Sequence, residues 1–435
     1  MNKVISSPDS NRNSLEGIRI LHITPDHPNS NGRMRKECTS YQRAGATCSA
    51  LILGHSRETD SISDVHGMRV IEPRLPPMRA LRAKVLLQTR LKSGTFRRAI
   101  RAAIESERPD VLHVHDMFMG GSAIPVARHS QDKPLPVIFD LHENYPAAVE
   151  VYRSAYRPVK RMIFAAFQGR RRMSRIERQM IASADLVLTV TEEATDRVTR
   201  FESATPVVTV PNLDHQPTDL CRRSTSVHSE KGPLRLTYVG SIQVHRGLQT
   251  VVRALSLLPP ETVSLDIFGA KNDDFTNWLR REVIRRNLSS SVTFHGWLTP
   301  DEVALRISEA DLAIVPHEST EQTNTTLPHK LFEYMSRGRP VLVSSSAPIA
   351  KHVKSAESGF IFTAGDPNDC AQTIMQVLER RGELFRIGEN GHRYVQQKMN
   401  WELVSEHALV QSVIKLLSSD HLGGDDESRA SVRDS

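Results

Sequence analysis

Between Thr325 and Val341 the chain places Thr325, Thr326, Leu327, Pro328, Lys330, Glu333, Gly338 and Pro340 in close order. The spacing predicts a loop, a helix, a tight turn and a strand. Thr325 or Thr326 could cap the helix, and Pro328 suits its first turn. Gly338 would end it and Pro340 would open the strand. Free N–H groups at a helix start favour a phosphate, and Lys330 would add a full positive charge there. Glu333 lies three residues on and shares the face of Lys330. Its carboxylate could accept two hydrogen bonds from the hydroxyls of a ribose. The same spacing also describes an ordinary solvent-facing Lys–Glu pair, so this helix alone leaves both readings open.

Two further groups sit where strands give way to loops. Tyr238, Val239, Gly240 and Ser241 lead into His245, Arg246 and Gly247. Glycine permits close backbone approach, and arginine supplies a permanent cation for a pyrophosphate. A plain strand-to-helix turn with a solvated arginine would look the same. Phe139 to Tyr145 sets His142, Glu143, Asn144 and Tyr145 at one strand end. A lone histidine is usually structural; one grouped with these polar neighbours is a site candidate. Several motifs are missing. No G-x-G-x-x-G follows the first strand and there is no G-x-x-x-x-G-K-[ST], which argues against a dinucleotide oxidoreductase and a P-loop nucleotidase. There is no D-x-D and no H-E-x-x-H, so no metal ligand set is expected.

These residues need elements to position them. Apolar runs at Ile18–Thr24, Thr47–Leu53, Asp110–His115, Pro136–Leu141, Asp185–Val190 and Pro206–Pro211 alternate with helical stretches such as Arg33–Ala44. After a polar stretch, the series resumes at Leu234–Gly240, Ser264–Gly269, Val292–Gly296, Leu312–Pro316 and Pro340–Ser344. Near-continuous apolar strands separated by helices indicate parallel sheets covered on both faces. The expected organisation is a disordered arm (1–16), a Rossmann-like domain (17–213), a linker (214–233), a second Rossmann-like domain (234–399), a last helix (400–417) and a disordered tail (418–435). Ligands of such sheets bind beyond the carboxyl ends of the strands.

Composition narrows the class. Of 435 residues, 39% are hydrophobic and 25% charged, enough to build sizeable cores. Aromatics at 5% argue against a propeller. Four scattered cysteines without a C-x-x-C fit a reducing cytoplasm. The start lacks the apolar core of a secretory signal, and no run is long enough to span a bilayer. The net charge of +7 is uneven: Ile18 to Leu213 holds 30 Lys and Arg against 20 Asp and Glu. That imbalance points to an anionic partner. No nucleic-acid recognition module accompanies it. Two stretches stand out, Arg79 to Arg101 without an acid and Arg153 to Arg178 with only Glu177. Both hold apolar residues among their cations, Met162 to Phe167 in the second, which suits an anionic membrane surface.

In this order the segments resemble the retaining glycosyltransferases of family 4, with the GT-B fold. The resemblance rests on Arg33 to Glu37, His113 to Asp116, Asp140 to Pro146, Ala184 to Glu192, Val210 to Asp214, Tyr238 to Gly240 with Arg246 and Gly247, and Pro328 to Met335 with Gly338 to Pro340. It spans nearly all of Ile18 to Leu417. It implies two Rossmann-like domains flanking a cleft, with the last helix crossing back to the first domain. It further implies a nucleotide-diphosphate-sugar donor in the C-terminal domain and an acceptor in the N-terminal one. The acceptor would be a glycan or a lipid-linked intermediate, handled in the cytoplasm or at its membrane face. Carried over by position, Glu333 would bind the donor ribose; Arg246 and Lys330 would hold the diphosphate beside Gly240 and Ser241. His142 would contact the donor sugar, and Gly269 and Trp297 would lie near the nucleobase. Thr325, Thr326 and Leu327 complete the donor set, and Arg33, His115 and Glu143 are acceptor-side candidates. No cofactor or metal is implied. Two positions depart from the family. Thr325 stands where many members have a Glu, and Ser241 where many have an Arg, which shifts the diphosphate onto Arg246 and Lys330. A nucleotide-sugar epimerase of the same fold, or a nucleotide-sugar-binding protein without catalysis, would share most of these features.

Overall fold

The computed structural model describes residues 14–54, 59–130, 133–154, 167–217 and 232–420. The first domain carries strands β1 (Arg19–Thr24), β2 (Thr47–Ile52), β3 (Ser61–Val65), β4 (Met68–Glu72), β5 (Val111–His115), β6 (Val137–Leu141), β7 (Leu186–Thr189) and β8 (Val207–Thr209). The second carries β9 (Leu234–Val239), β10 (Val263–Phe268), β11 (Val292–His295), β12 (Leu312–Val315), β13 (Val341–Ser344) and β14 (Gly359–Phe362). The sheet orders are β3-β4-β2-β1-β5-β6-β7-β8 and β11-β10-β9-β12-β13-β14. All pairs are parallel except β3 with β4. Order reverses between β1 and β5 in the first sheet and between β9 and β12 in the second. Both switch points open crevices at the carboxyl ends of the strands.

Helices cover both faces, so the central strands are buried throughout: β5 and β6 expose none of their residues. Burial on both faces is why these strands read as unbroken apolar runs. Three strands lie outside the sequence-based expectation. β3 and β4 form an edge hairpin turning on His66 and Gly67, both left-handed, and β3 is largely solvated. β14 is four residues long, and its Gly359 sits so close to β13 that a Cβ there would lie 2.0 Å from the Val341 carbonyl oxygen.

The chain ends diverge from the expected boundaries. Leu15, within the expected arm, is buried, and its N–H donates to the Ala44 carbonyl at 2.8 Å. The linker's first residues are fixed: the Asp214 carbonyl accepts from the Trp401 N–H at 2.7 Å; residues 218–231 lie outside the described residues. The last segment opens with a wide π-type turn, Trp401–Glu406, before the helix His407–Asp420. It packs on the first domain: Trp401 Nε1 donates to Ser40 Oγ at 2.8 Å, and Trp401, Leu409 and Val413 join that domain's core. Leu403, in the same segment, is exposed.

Candidate active site

Two clefts lie between the domains and share His142, Leu327 and His329. The first, about 370 Å³, is lined by His142 and Glu143 on one side and by His245, Arg246, His317, Thr326 and Lys330 on the other. The second, about 470 Å³, runs into the first domain past Asp26, Asn31, Arg33, Lys36 and Asn212. The sequence-predicted His142, Glu143, Arg246, Thr326, Leu327 and Lys330 thus meet in one cleft, and Arg33 lies in its neighbour.

On the C-terminal side, β9 ends at Val239 and Gly240 turns with φ of +134°. A Cβ on Gly240 would stand 3.0 Å from Lys330 Nζ, so only glycine leaves that ammonium its place. Lys330 Nζ sits over the Tyr238 ring, 3.7 Å from its centroid, and has no hydrogen-bond acceptor. Burial first, then Arg246, pushes its pKa well below the usual lysine range. Arg246 ends a short 3₁₀ turn, Val244–Arg246, and donates to His317 Nε2 at 2.7 Å while its Nε finds no acceptor. Burial and the two cations hold His245 down at about 3 and His317 well below the ordinary histidine value. Arg246 thus brings a permanent positive charge to this corner, beside a Lys330 amine whose charged form burial and Arg246 disfavour. Gly269 supports this corner from behind: at φ of +100°, a Cβ there would lie 2.5 Å from the Gly240 carbonyl oxygen. The Ser241 carbonyl accepts the Tyr238 hydroxyl at 2.7 Å.

The helix expected from Thr325 begins only at Lys330 and spans seven residues, Lys330–Ser336, with no side-chain cap. Thr323–Thr325 forms a 3₁₀ turn instead. Thr325 is buried; its hydroxyl donates to the carbonyls of Glu321 and Gln322, and its own carbonyl accepts from Thr191 of the first domain at 3.0 Å. Thr326 Oγ1 likewise donates to the Gln322 carbonyl. Neither threonine caps the helix, because each is already spent on the preceding turn. Glu333 lies one turn beyond Lys330, outside the lining of the cleft, with 21% of its side chain exposed. Burial raises its carboxyl pKa. Trp297 is 61% exposed under Lys271, away from both clefts.

On the N-terminal side a buried ionic network underlies the cleft. Arg33 donates to both Asp140 oxygens at 2.8 and 2.9 Å and to the Val210 carbonyl at 2.7 Å. It also contacts Glu37 at 2.9 Å. Burial opposes the Asp140 charge, but Arg33 and His142 outweigh it and hold that carboxyl well below the usual range. Glu37 goes the other way, raised by burial. His115 is not at the cleft surface: it is fully buried, 2.9 Å from His22 Nδ1 and stacked on His113. Lys36 bonds the Leu213 carbonyl, lies over Trp401, and is lowered by burial to about 8.

His22, Glu37, His113 and His115 bring one possible metal ligand each within 4.8 Å of one another. The rings of His113 and His115 are 4.6 Å apart and 5° from parallel. Nitrogen lone pairs lie in the ring planes, so face-to-face imidazoles do not aim at one ion. This arrangement is a hydrogen-bonded stack, not a converging ligand set.

Sequence reasoning missed Glu37, Asp116, Asp140, His22, His113 and His317 as contributors. The available signal was the period-two polar pattern of His113 and His115 inside an otherwise apolar strand, with Glu37 four residues after Arg33. The pairing of His22 with His113 across β1 and β5 supplies the rest.

Residues 32–213 match the family model "Glycosyl transferase 4-like domain", and residues 233–380 match "Glycosyl transferases group 1". The chain is a family-4-like glycosyltransferase of the GT-B fold. Among sequence relatives, this glycosyltransferase is 22% identical to glycogen synthase of Mycobacterium tuberculosis over 305 residues, 69% of this chain and 67% of that one. Among solved structures, sucrose-phosphate synthase from Thermosynechococcus elongatus superposes with a TM-score of 0.69 at 18% identity, covering 93% of this chain and 99% of that one. The Anabaena protein HepE, in complex with UDP, superposes with a TM-score of 0.65 at 15% identity, covering 92% and 100%. The architecture is therefore shared while the sequences have diverged widely.

Proposed function

We propose that this glycosyltransferase takes a sugar from a nucleoside-diphosphate donor in the 370 Å³ cleft and passes it, with retention, to an acceptor hydroxyl in the adjoining cleft. The observation that carries the reading is the pair Lys330 and Arg246 near the end of β9, whose buried Nζ and Nε have no hydrogen-bond acceptor. A diphosphate supplies the missing acceptors, and as a leaving group its growing charge is met by both. HepE, with the same architecture, is known with UDP bound, which supports a nucleotide donor. Retention needs no carboxylate nucleophile by a front-face route. The acceptor oxygen bonds to the anomeric carbon as the bond to the phosphate oxygen breaks, and the acceptor proton passes to the departing phosphate. Metal is dispensable in this scheme because the two cations occupy its role.

The acceptor is proposed to be a lipid-linked or surface-glycan intermediate met at an anionic membrane. Met78, Leu81 and Val85 form an exposed apolar stripe on the helix Pro77–Arg90, beside Arg79, Arg82 and Lys84. Of the second basic stretch, residues 155–166 lie outside the described residues. Among the described residues no helix is long and apolar enough to cross a membrane.

The test is thermal shift with UDP, GDP, ADP and TDP, followed by transfer assays with the matching sugars in excess EDTA. A ligand at about 100 times its dissociation constant adds about 2.7 kcal/mol. Stabilisation by one nucleoside diphosphate and EDTA-resistant transfer are expected. Binding without turnover across an acceptor panel would favour the non-catalytic reading. Sugar isomerisation without acceptor would favour the epimerase.

A further inference from the structure

His142 stands where the two clefts meet, and its surroundings decide its protonation state by geometry. Its Nε2 is hydrogen-bonded to Asp140 Oδ2 at 2.9 Å, and its Nδ1 lies at ion-pair distance, 3.4 Å, from Asp116 Oδ1, a buried oxygen with no hydrogen-bond partner. Both carboxylates are held by other constraints. Asp140 is fixed by two bonds from Arg33, which is itself anchored on the Val210 carbonyl. Asp116 follows β5 with φ of +66°, a left-handed conformation unusual outside glycine. Strain of this kind persists where the surroundings over-determine it, and it collects at functional sites. A neutral imidazole carries one N–H and one bare lone pair. Burial raises the Asp116 carboxyl pKa while His142 lowers it, so the ionised carboxylate and the charged ring sustain each other; between the two carboxylates, either neutral tautomer would turn its lone pair against one of them. Only the doubly protonated ring has a proton to offer each side.

We infer that His142 is a fixed imidazolium at the junction of the donor and acceptor clefts, that Asp116 and Asp140 are positioning residues that keep it charged, and that Arg33, though its own charge opposes that of His142, is a positioning residue that holds Asp140 in place. This rests on the transferase reading above and deepens it. His142 then does not take the acceptor proton, since neither nitrogen is free to receive one. Its charge instead faces the space where the diphosphate departs, together with Arg246 and Lys330 across the cleft.

The surrounding charges support this assignment. Arg33 works against a second cation nearby; His115, whose Nδ1 is 3.3 Å from His142 Nε2, is held well below the ordinary histidine value by burial, and Lys330 and Arg246 line the cleft on the other side. Glu37 lies behind Arg33, and Glu143, His245, His317 and His329 line the same clefts. Burial lowers the His142 pKa, but Asp116 and Asp140 outweigh it and raise it to about 9. A raised histidine pKa means the charge is present below about pH 9 and lost above it.

The experiment is a pH titration of ring-¹⁵N-histidine protein by long-range ¹H–¹⁵N correlation, with His142 assigned from the spectrum of His142→Gln. Both ring nitrogens should read as protonated at pH 7.5, with deprotonation near pH 9, and kcat should fall along the same limb. Asp116→Asn should lower the midpoint by about one unit. At pH 8.5 that takes the charged fraction from about three-quarters to about one-quarter, a roughly threefold loss of kcat with KM little changed. Asp140→Asn should act in the same direction; should it fail to fold after losing the Arg33 bonds, Asp116→Asn decides. A neutral His142 at pH 7.5, or an unmoved midpoint in Asp116→Asn, overturns the inference. So does a kcat limb that fails to follow the midpoint. Absence of transfer from every nucleotide sugar would overturn the transferase reading instead, since the titration needs no substrate.

Discussion

Replacing Lys330 by Met separates what this lysine costs the empty protein from what it contributes to donor binding. In the unliganded site its ammonium is buried over Tyr238 with no acceptor, and burial and Arg246 both lower its pKa. The unfolded chain, with an ordinary lysine near 10.4, then holds more protons than the folded one. Stability is consequently lost as pH falls below that unfolded value toward the lowered folded one. Lys330→Met removes this penalty, so the unliganded variant should melt higher than the parent at pH 7. A diphosphate reverses the balance. One phosphate charge about 4 Å away, at an effective dielectric constant of about 20, is worth about 4 kcal/mol to the ammonium. That is about three pKa units, enough for donor binding to draw in a proton. Calorimetry of nucleoside-diphosphate binding at pH 8, in two buffers of different ionisation enthalpy, should show net proton uptake. Lys330→Met should abolish most of that uptake and weaken binding roughly 10- to 100-fold, the ~1.5–3 kcal/mol of a charged hydrogen bond. His245 and His317 are also neutral in the empty cleft and could take up protons, so the variant, not the uptake alone, is decisive. Uptake unchanged in Lys330→Met, or a lower melting temperature without ligand, would refute the reasoning.

Two further outcomes test the remaining assignments. Glu333→Ala should weaken nucleotide binding by about 1.5–3 kcal/mol if its carboxylate takes the ribose hydroxyls; unchanged affinity in a folded variant would remove Glu333 from the donor site and leave it as a partner of Arg337, 3.9 Å away. Flotation with vesicles should require anionic lipid, weaken with salt, and fall when Arg79, Arg82 and Lys84 become Glu; equal binding to neutral vesicles, or none to either kind, would remove the membrane surface from the proposal.

The parts of this molecule that announce themselves in sequence are those in which a residue's own chemistry suffices. Runs such as Val111–His115 and Leu312–Val315 read as strands because both faces are buried, and apolar side chains must fill both. β3 escapes the same test because it lies on a solvated edge, where Ser61, Ser63 and Asp64 carry no apolar period. Arg246, just past the glycine-ended strand β9, and Lys330, near a helix start, were each open to a reading as solvated cations; it is the fold that brings the two to one cleft. The start of the helix at Lys330 was not legible, since Thr325 and Thr326 bond the carbonyls of the preceding residues, and the Thr325 carbonyl accepts from Thr191 of the other domain.

The ionic network under the first cleft lies furthest from sequence, for a physical reason. Asp116 and Asp140 look like isolated polar residues along the chain, and an isolated polar residue is most often solvated, while nothing in the spacing ties Arg33 to His142. Their meaning arises when β1, β5 and β6 pair in register and the helix Gly32–Arg43 lies across them, placing Arg33 on Asp140 and Asp140 on His142. Burying such charges costs several kcal/mol each unless they are paired, so the network persists only as a unit. Removing any one member strands its partner. That interdependence is what lets Arg33, in the adjoining cleft, influence His142 through Asp140. It follows that Arg33→Met should act on His142 and on stability together, whereas Asp116→Asn, at the network's margin, should act on His142 with the smaller structural effect.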